Sequence, residues 1–494
     1  MFYFNGFLKP EFLKGKGLNI LSDEELPKVV LIKTGMVGRS ETKIVPPLGC
    51  MYLAAFIKER LNAKCRILDT RLESPSEKEI GDWIAEDEPL LIGMSVMATE
   101  SDQMHNLATS FKKRFPQIPI VVGGPHPSSD MDDVLADHNI DWLVYNEGEN
   151  TFLELVETIW RGENPDDILG TACCRNETKI VNPPRPFIEE LDLLPFPAWD
   201  LVDYKAYFNK KRPTMFYKNN KYMPIFSSRA CPFRCVYCHK IFGKKFRGRS
   251  PENVLAEMRK LYHDFGIREF EFYDDCFNAD RNRCKAILRM FADSEMKDAT
   301  LQFPNGLRAD ILDDETIDLL KKARTFSISV AVESASKRIQ KNIKKNVKLE
   351  KFREITSKLS NKGIFLHCFF MFGFPDETRD ELEETLDFAL SLDVDTASFF
   401  IVNPFKNTEL AVMAEDRGMS LNTDPDNYDY LRTSINLSCV SNEELSQILR
   451  KAYFRFYVSF KRFRKIIRVL WKCPELIFGL LRIFFDRVLF VKMK

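Results

Sequence analysis

No sign of charge dominates this sequence. Its 72 Lys and Arg face 72 Asp and Glu, so the formal net charge is zero. That excludes a polyanion-binding role for the chain as a whole, which needs a basic surplus. Nowhere do 18 apolar residues run together, so no helix is expected to span a membrane. Met1–Phe7 shows no basic region followed by a long apolar stretch, so no secretory signal is expected. Tandem repeats and low-complexity tracts are also absent. What is present is bulk: 494 residues, enough for about three domains at ~150 residues each. Hydrophobic content of 45% with 29% charged fits a folded chain rather than a disordered one. Phenylalanine stands out, with 41 against 14 Tyr and 5 Trp; large cores, a greasy substrate or a membrane surface each account for it. The 12 cysteines are expected in a reducing cytoplasm, where they are free, metal-bound or catalytic rather than paired.

The first segment alternates strand and helix. Lys28–Lys33, Cys65–Asp69, Leu90–Met94, Ile118–Val122 and Trp142–Tyr145 read as strands, with helices at Leu53–Leu61 and Thr151–Trp160. Strands spaced by helices imply a parallel sheet covered on both faces, a doubly wound domain over residues 1–160 with its ligand at the carboxyl ends of the strands. Residues 161–222 are proline-punctuated, as in Asn182-Pro183-Pro184-Arg185-Pro186 and Leu194-Pro195-Phe196-Pro197, and read as an ordered linker. A second series spans 223–410, with strands at Met223–Ser227, Glu269–Tyr273, Thr300–Pro304, Phe326–Val332, Phe365–Phe372 and Thr396–Ile401. Six units without an obvious seventh suggest a partial (β/α)6 barrel. Residues 411–494 read as a helical C-terminal region.

The sharpest feature follows the first barrel strand: Cys231-Pro-Phe-Arg-Cys235-Val-Tyr-Cys238. Three thiolates at this spacing can converge on one cluster because so short a loop wraps back on itself. A cubane iron-sulfur cluster wants four ligands; with three supplied, the open iron is left to an exogenous amine and carboxylate. Structural zinc would need a fourth ligand such as His239, which is poorly placed next to Cys238. Cys235-Val-Tyr-Cys238-His239 also matches a covalent haem pattern, although that attachment occurs outside the cytosol. Plain core cysteines rarely arrive as such a triplet in a loop.

On these residues the chain resembles the radical S-adenosylmethionine enzymes, in the subgroup with an N-terminal cobalamin-binding domain; the likeness covers roughly residues 28 to 410. It implies a 4Fe-4S cluster on Cys231, Cys235 and Cys238 whose fourth iron is chelated by S-adenosylmethionine, and one-electron cleavage to a 5′-deoxyadenosyl radical. By the same resemblance Tyr237 packs near the adenine, and Asp274 and Asp275 meet the ammonium. Arg308 stands in Asn305-Gly306-Leu307-Arg308 as in relatives. Glu333 and Ser334 approach the ribose, and Gly373 and Pro375 contact adenine through backbone. An ion-pair network lining a barrel mouth is the plainer reading of Asp274, Arg308 and Glu333, but the carboxyl ends of barrel strands favour the functional one.

In the first domain, the family pattern implies that Ser95, Gly123, Gly124, His126, Glu147 and Gly148 border a cobalamin. Paired glycines permit close backbone approach to a ligand tail, and Ser95 is placed to bond the nucleotide tail. His126 reads more as a packing histidine than as a cobalt ligand. The loop Thr34-Gly35-Met36-Val37-Gly38-Arg39-Ser40 departs from the Asp-x-His-x-x-Gly of many cobalamin domains. That departure fits relatives that leave the lower cobalt face unligated, or a domain that has lost its cobalamin.

Residues 451–494 carry 12 Lys and Arg against Glu475 and Asp486 alone, leaving 60 basic and 70 acidic groups in residues 1–450. Tyr453, Phe456, Tyr457 and Phe460 at helical spacing read as a cap packed on the barrel. Beyond Lys461 the Phe/Ile/Leu stripe opposite a basic face reads as an interfacial membrane helix, which would make the protein peripheral on the inner membrane face. Nucleic acid is not expected as a partner. The expected activity is methyl transfer to an unactivated carbon, or oxidative ring closure, on a lipid, isoprenoid or porphyrin, with flavodoxin or ferredoxin as electron donor. Radical chemistry without cobalamin and a non-catalytic membrane-docked sensor are the alternatives. Among the remaining cysteines, Cys276 is the one whose loop faces the expected site.

Overall fold

The computed structural model describes residues 26–35, 44–73, 75–210, 212, 214, 216–421, 435–459, 462 and 465. The readings made on residues 1–7, on most of the loop after the first strand and on the tail beyond Lys461 lie largely outside these. Two sheets organise the chain. The first has β1 (Lys28–Lys33), β2 (Lys64–Asp69), β3 (Leu91–Ser95), β4 (Ile120–Gly123), β5 (Trp142–Val144), β6 (Thr171–Arg175) and β7 (Thr178–Val181) in the order β2-β1-β3-β4-β5-β6-β7. β1 to β5 are parallel. Val29 and Leu31 pack on one face and Val30 and Ile32 on the other, the two-sided burial that a doubly wound sheet demands.

Two of these strands correct the linker reading. β6 and β7 fall within 161–222, yet they form an antiparallel hairpin on the edge of the first sheet. Asn176 and Glu177 take φ of 49° and 63° at its turn, the left-handed pair that two-residue hairpins use. Proline punctuation masked this short strand pair. The rest of the segment is threaded through protein: Trp199 is fully buried, Ala198 N–H donates to the Met51 carbonyl, and the Tyr207 hydroxyl donates to Asp69 at 2.9 Å.

The second sheet is all parallel, in the order β15-β14-β13-β12-β11-β8. Its strands are β8 (Tyr222–Ile225), β11 (Glu269–Phe272), β12 (Thr300–Phe303), β13 (Thr325–Glu333), β14 (Phe365–Phe372) and β15 (Thr396–Ile401). A small ribbon of β9 (Ser228–Arg229) and β10 (Arg247–Gly248) brackets the cysteine loop. This is the partial barrel of six strands, and the chain is α/β throughout. Its open edge is covered by the helix Asn442–Tyr457. The Tyr453 hydroxyl bonds both N–H and C=O of Phe399, and the Tyr457 hydroxyl does the same at Ala397. Side chains thus occupy backbone groups that an exposed edge strand would offer to another chain. Among the described residues, no helix is long and apolar enough to cross a membrane.

The amino-terminal end of the barrel is stoppered by the end of the proline-rich segment. Arg212 lies between the rings of Tyr217 and Tyr222, at 3.6 and 4.2 Å from their centroids. It donates to Glu269 at 2.7 Å, and that carboxylate also accepts from Gln302, Thr300 and two backbone amides. Glu271 is fully buried 3.7 Å from the same guanidinium. Removing one partner of a buried ion network leaves the others uncompensated, at a cost of about 3–5 kcal/mol. Arg212→Met should lower stability by about that amount, read as an earlier urea midpoint; an unchanged midpoint would contradict the plug.

Candidate functional site at the barrel mouth

The cysteine loop leaves β8 and β9 at the carboxyl end of the barrel. Its centre is pinned by Val236, whose N–H donates to the Ile343 carbonyl and whose carbonyl accepts from Leu410 N–H. Val236 sits in an apolar cluster with Ile339, Phe374 and Leu437. Cys238 N–H donates to the Cys235 carbonyl, closing the turn that brings two of the thiols side by side. Cys231 lies beside Cys276, whose hydrogen bond draws the Cys231 thiol down to about 7 against the opposing effect of burial. Cys235 is drawn down to about 6 by its bond with Cys238, again against burial. Lys345 and Arg308 add positive charge next to Cys235.

Tyr237, Glu333 and Lys345 form a chain beside these thiols. The Tyr237 hydroxyl donates to Glu333 at 3.2 Å, and the Lys345 ammonium lies 3.1 Å from the same carboxylate oxygen. Glu333 ends β13 at φ 68°, after a shift in register against β14. Such a backbone costs a non-glycine residue of order 1 kcal/mol and recurs at functional sites. Burial works against the charge of Lys345, yet Glu333 and the neighbouring thiolates outweigh it and hold its pKa up. Arg308 stacks 4.1 Å from the Phe233 ring centroid and donates to the Lys345 carbonyl, so it braces the loop from below. Asp275 is 3.8 Å from His239 and partly open. Burial raises its pKa, and His239 opposes that shift.

Several residues expected to touch cofactor are committed elsewhere. Asp274 is buried and accepts from Ser227 N–H, Ser227 hydroxyl and Ser228 N–H at 2.6, 2.5 and 2.7 Å. It ties the chain entering the cysteine loop to the end of β11. Ser334 is fully buried and bonds Thr385 and the Ser336 amide. The Gly373 amide is donated to Glu377, whose carboxyl is pushed up to about 8 by burial. Gly373 stands at φ 91°, and a Cβ there would come 3.2 Å from Leu445. Pro375 is buried in the same turn and has no N–H to offer.

At the strand ends of the first sheet, Ser95, Gly123, Gly124 and Gly148 line up across β3, β4 and β5. A Cβ on Gly124, at φ 104°, would press to 3.0 Å from the Val96 carbonyl oxygen, so only glycine lets this turn close. His126 is turned back into its own helix pair, 2.7 Å from Asp133, and is not presented as a metal ligand. Glu147 is engaged within the protein as well. It lies 3.1 Å from Arg229 and 2.8 Å from Arg247, while Glu149 pairs with Arg229. All four side chains are buried. The sequence reading missed Arg229, Arg247, Glu149 and Lys345. Lys345 stands in Lys344-Lys345-Asn346, which looks like solvated charge; only the left-handed turns at Lys344 and Asn346 fold it inward.

The radical SAM superfamily model matches residues 225–389 and the B12 binding domain model residues 36–156. An uncharacterised methyltransferase of Pyrococcus horikoshii is 30% identical over 417 residues, with 84% of this chain and 88% of that protein covered. The chain belongs to the radical SAM enzymes that carry a B12-binding domain. A cytidylyl-2-hydroxyethylphosphonate methyltransferase of Streptomyces wedmorensis is 27% identical, covering 74% of this chain and 77% of that one. An anaerobic magnesium-protoporphyrin IX monomethyl ester cyclase of Rubrivivax gelatinosus is 25% identical, at 84% and 74% coverage. Among solved structures, the fold matches the cobalamin-dependent S-adenosylmethionine radical enzyme OxsB with a TM-score of 0.71 at 17% identity, covering 94% of this chain and 73% of that one. It also matches the radical S-adenosylmethionine methyltransferase TsrM from Kitasatospora setae with a TM-score of 0.67 at 18% identity, covering 79% and 76%.

The chain is therefore a cobalamin-dependent radical enzyme of methyltransferase or cyclase type, with a 4Fe-4S cluster, S-adenosylmethionine and cobalamin as its cofactors. The donor set fits the cluster: three thiols in one short loop, with Lys345 and Arg308 at hand to offset the charge of a thiolate-bound centre. The small residues along β3 to β5 fit a corrin approached by backbone, with no lower-face ligand from His126. Alanine at Cys231, Cys235 or Cys238 should cut bound iron from about four per chain to below one in an iron and sulfide assay. Cys276→Ala should retain it. Lys345→Met should lower the cluster midpoint potential on the order of 60 mV, equivalent to tenfold for one electron. An unmoved potential in an EPR-monitored titration would remove the electrostatic role.

Proposed function

We propose that this enzyme methylates an unactivated carbon of a hydrophobic substrate, with Cys231, Cys235 and Cys238 as cluster ligands and Tyr237, Glu333 and Asp275 lining the S-adenosylmethionine site. One observation carries the reading: the mouth holding the cysteines faces the glycine loop of the first domain. Asn407, just past β15, donates to the Ser129 carbonyl at 2.7 Å, and Lys406 pairs with Asp130 at 2.6 Å. These contacts support a reading in which S-adenosylmethionine and cobalamin would be held beside one shared space. When bound, the cluster, S-adenosylmethionine and cobalamin supply the one-electron and methyl chemistry.

The protein's own part is placement. Tyr237 and Lys345 both bond Oε1 of Glu333 and hold that carboxylate in position, which leaves its other oxygen for a ribose hydroxyl. Asp275 is the open carboxylate at the β11 end suited to an ammonium group. The Arg212 plug closes the far end against water. Residues 1–160, 161–222, 223–410 and 411–494 serve in this reading as cobalamin domain, connector, catalytic barrel and C-terminal region, with β6 and β7 of the connector belonging structurally to the first domain. The location is cytoplasmic, with the basic tail beyond Lys461 resting on anionic lipid and a flavodoxin or ferredoxin supplying electrons.

Oxidative cyclisation is the second reading, favoured by the match to the protoporphyrin ester cyclase. Anaerobically reconstituted enzyme given S-adenosylmethionine and a low-potential reductant should release 5′-deoxyadenosine. With substrate, methylation also yields S-adenosylhomocysteine, whereas cyclisation yields none. Formation of neither product, with all three cofactors bound, would overturn the assignment.

A further inference from the structure

Charge is unevenly spread around the cysteine loop. Residues 1–450 carry 70 acids against 60 bases, yet residues 231–245 hold four Lys and Arg, residues 337–348 hold six, and neither stretch contains Asp or Glu. The fold lays these two stretches side by side. Val236 N–H donates to the Ile343 carbonyl, so Arg234 and Lys341 each stand two positions from one shared hydrogen bond. Arg308 stacks on Phe233 and donates to the Lys345 and Asn346 carbonyls at 2.9 and 3.2 Å, which ties the stretches together a second time. Ile339 and Ile343 pack with Val236, and Lys337 and Lys341, one helical turn apart, are left on the outside.

Part of this charge is answered within the chain. Lys344 pairs with Glu409, Lys345 with Glu333, Arg338 with Glu381 and Lys245 with Glu189. Arg234, Lys240, Lys337, Lys341 and Lys348 are different: all five are exposed, and among the described residues none of their side chains has an ion-pair partner. The same loop brings the thiols close to the surface. Cys231 and Cys238 are half-buried, and His239 next to Cys238 is exposed. Unopposed cations thus surround the segment that carries the three cysteines.

Resting on the enzymatic reading above, we propose that this face is the docking surface for a one-electron donor protein that presents clustered Asp and Glu side chains. An exposed ion pair contributes little by itself. Unopposed cations grouped around one loop act together, raising the encounter rate with an acidic partner and losing that advantage as salt screens the field. Placement decides the role: the cations sit on the two segments that carry and brace the thiols, so a partner seated there is brought against the cluster ligands. Transfer at this face passes one electron from the partner's reduced flavin to the bound cluster, with no bond formed or broken. A nucleic-acid strand would call for open rings among the cations, and Phe233, the ring next to Arg234, is already stacked against Arg308.

The probes are a photoreduced acidic flavodoxin and reduced methyl viologen, a small cation. Each is mixed anaerobically with the full-length, cofactor-loaded enzyme while cluster reduction is followed by absorbance and EPR. Reduction by flavodoxin should slow about tenfold between about 20 and about 300 mM salt. The double variant Arg234→Glu/Lys341→Glu should slow it about tenfold at low salt, with viologen rate and iron content as in the wild type. Lys113→Glu/Lys297→Glu makes the same change in charge on the exposed helix Ser101–Arg114 and before β12, and should leave flavodoxin reduction unchanged. A salt-independent rate, an unchanged rate in the first variant, equal slowing in both, or poly(U) RNA binding this face more tightly than flavodoxin would overturn the proposal. Release of 5′-deoxyadenosine with viologen as reductant would keep the radical reading standing through any of these failures. Its absence with both reductants would strike that reading and this surface's role with it.

Discussion

A buried pair of carboxylates and a buried pair of guanidiniums hold this protein's chemistry in one place. Glu147 and Glu149 come from the end of the first sheet and the helix that follows it; Arg229 and Arg247 face each other across the ribbon that brackets the cysteine loop. Two arginines opposed on adjacent strands repel, and without Glu147 and Glu149 of the first domain the ribbon would carry that repulsion uncompensated. Burial weighs against ionising Glu147, but the two arginines outweigh it and hold its pKa below the usual carboxylate range. The cysteine loop is therefore in its working position when the first domain is docked, and the docking surface is built from the loop's own flank.

That constraint propagates through a short chain of contacts. Asp274 ties the β8 end to the β11 end, and Arg283 donates to both the Ser227 and Arg249 carbonyls at 2.6 Å. The Lys406 and Asn407 contacts secure the other side of the mouth to the turn after β4. Both rims of the space between the domains are thus fixed. A reaction shared between two bound cofactors would need that fixity, since a misplacement of about 1 Å costs on the order of a hundredfold in rate.

Phenylalanine excess, which opened several readings, divides between two settings. Most barrel phenylalanines, such as Phe270, Phe272, Phe303, Phe370 and Phe399, are completely or almost completely buried between strand and helix and serve only packing. A smaller set, Phe369 and Phe400, is only partly buried, on the opposite strand face beside His367. Composition cannot separate these, because neighbours in one strand, as in Phe369-Phe370 and Phe399-Phe400, point to opposite sides.

Local pattern carried most of the fold. Strand and helix alternation, turn residues and the cysteine spacing depend on neighbours within a few positions, and for that reason the doubly wound domain, the six-stranded barrel and the cysteine loop at its mouth were legible in the sequence itself. Tertiary structure decided which polar residues are free to meet a ligand. Asp274, Ser334, His126 and Glu147 have the right residue type at the right strand ends, yet each is consumed by a partner far along the chain or across a turn. Lys345, in a stretch that reads as surface charge, is folded against Glu333. Hydrogen-bond partners are assigned by three-dimensional proximity, so a motif fixes where a side chain starts but not what it reaches.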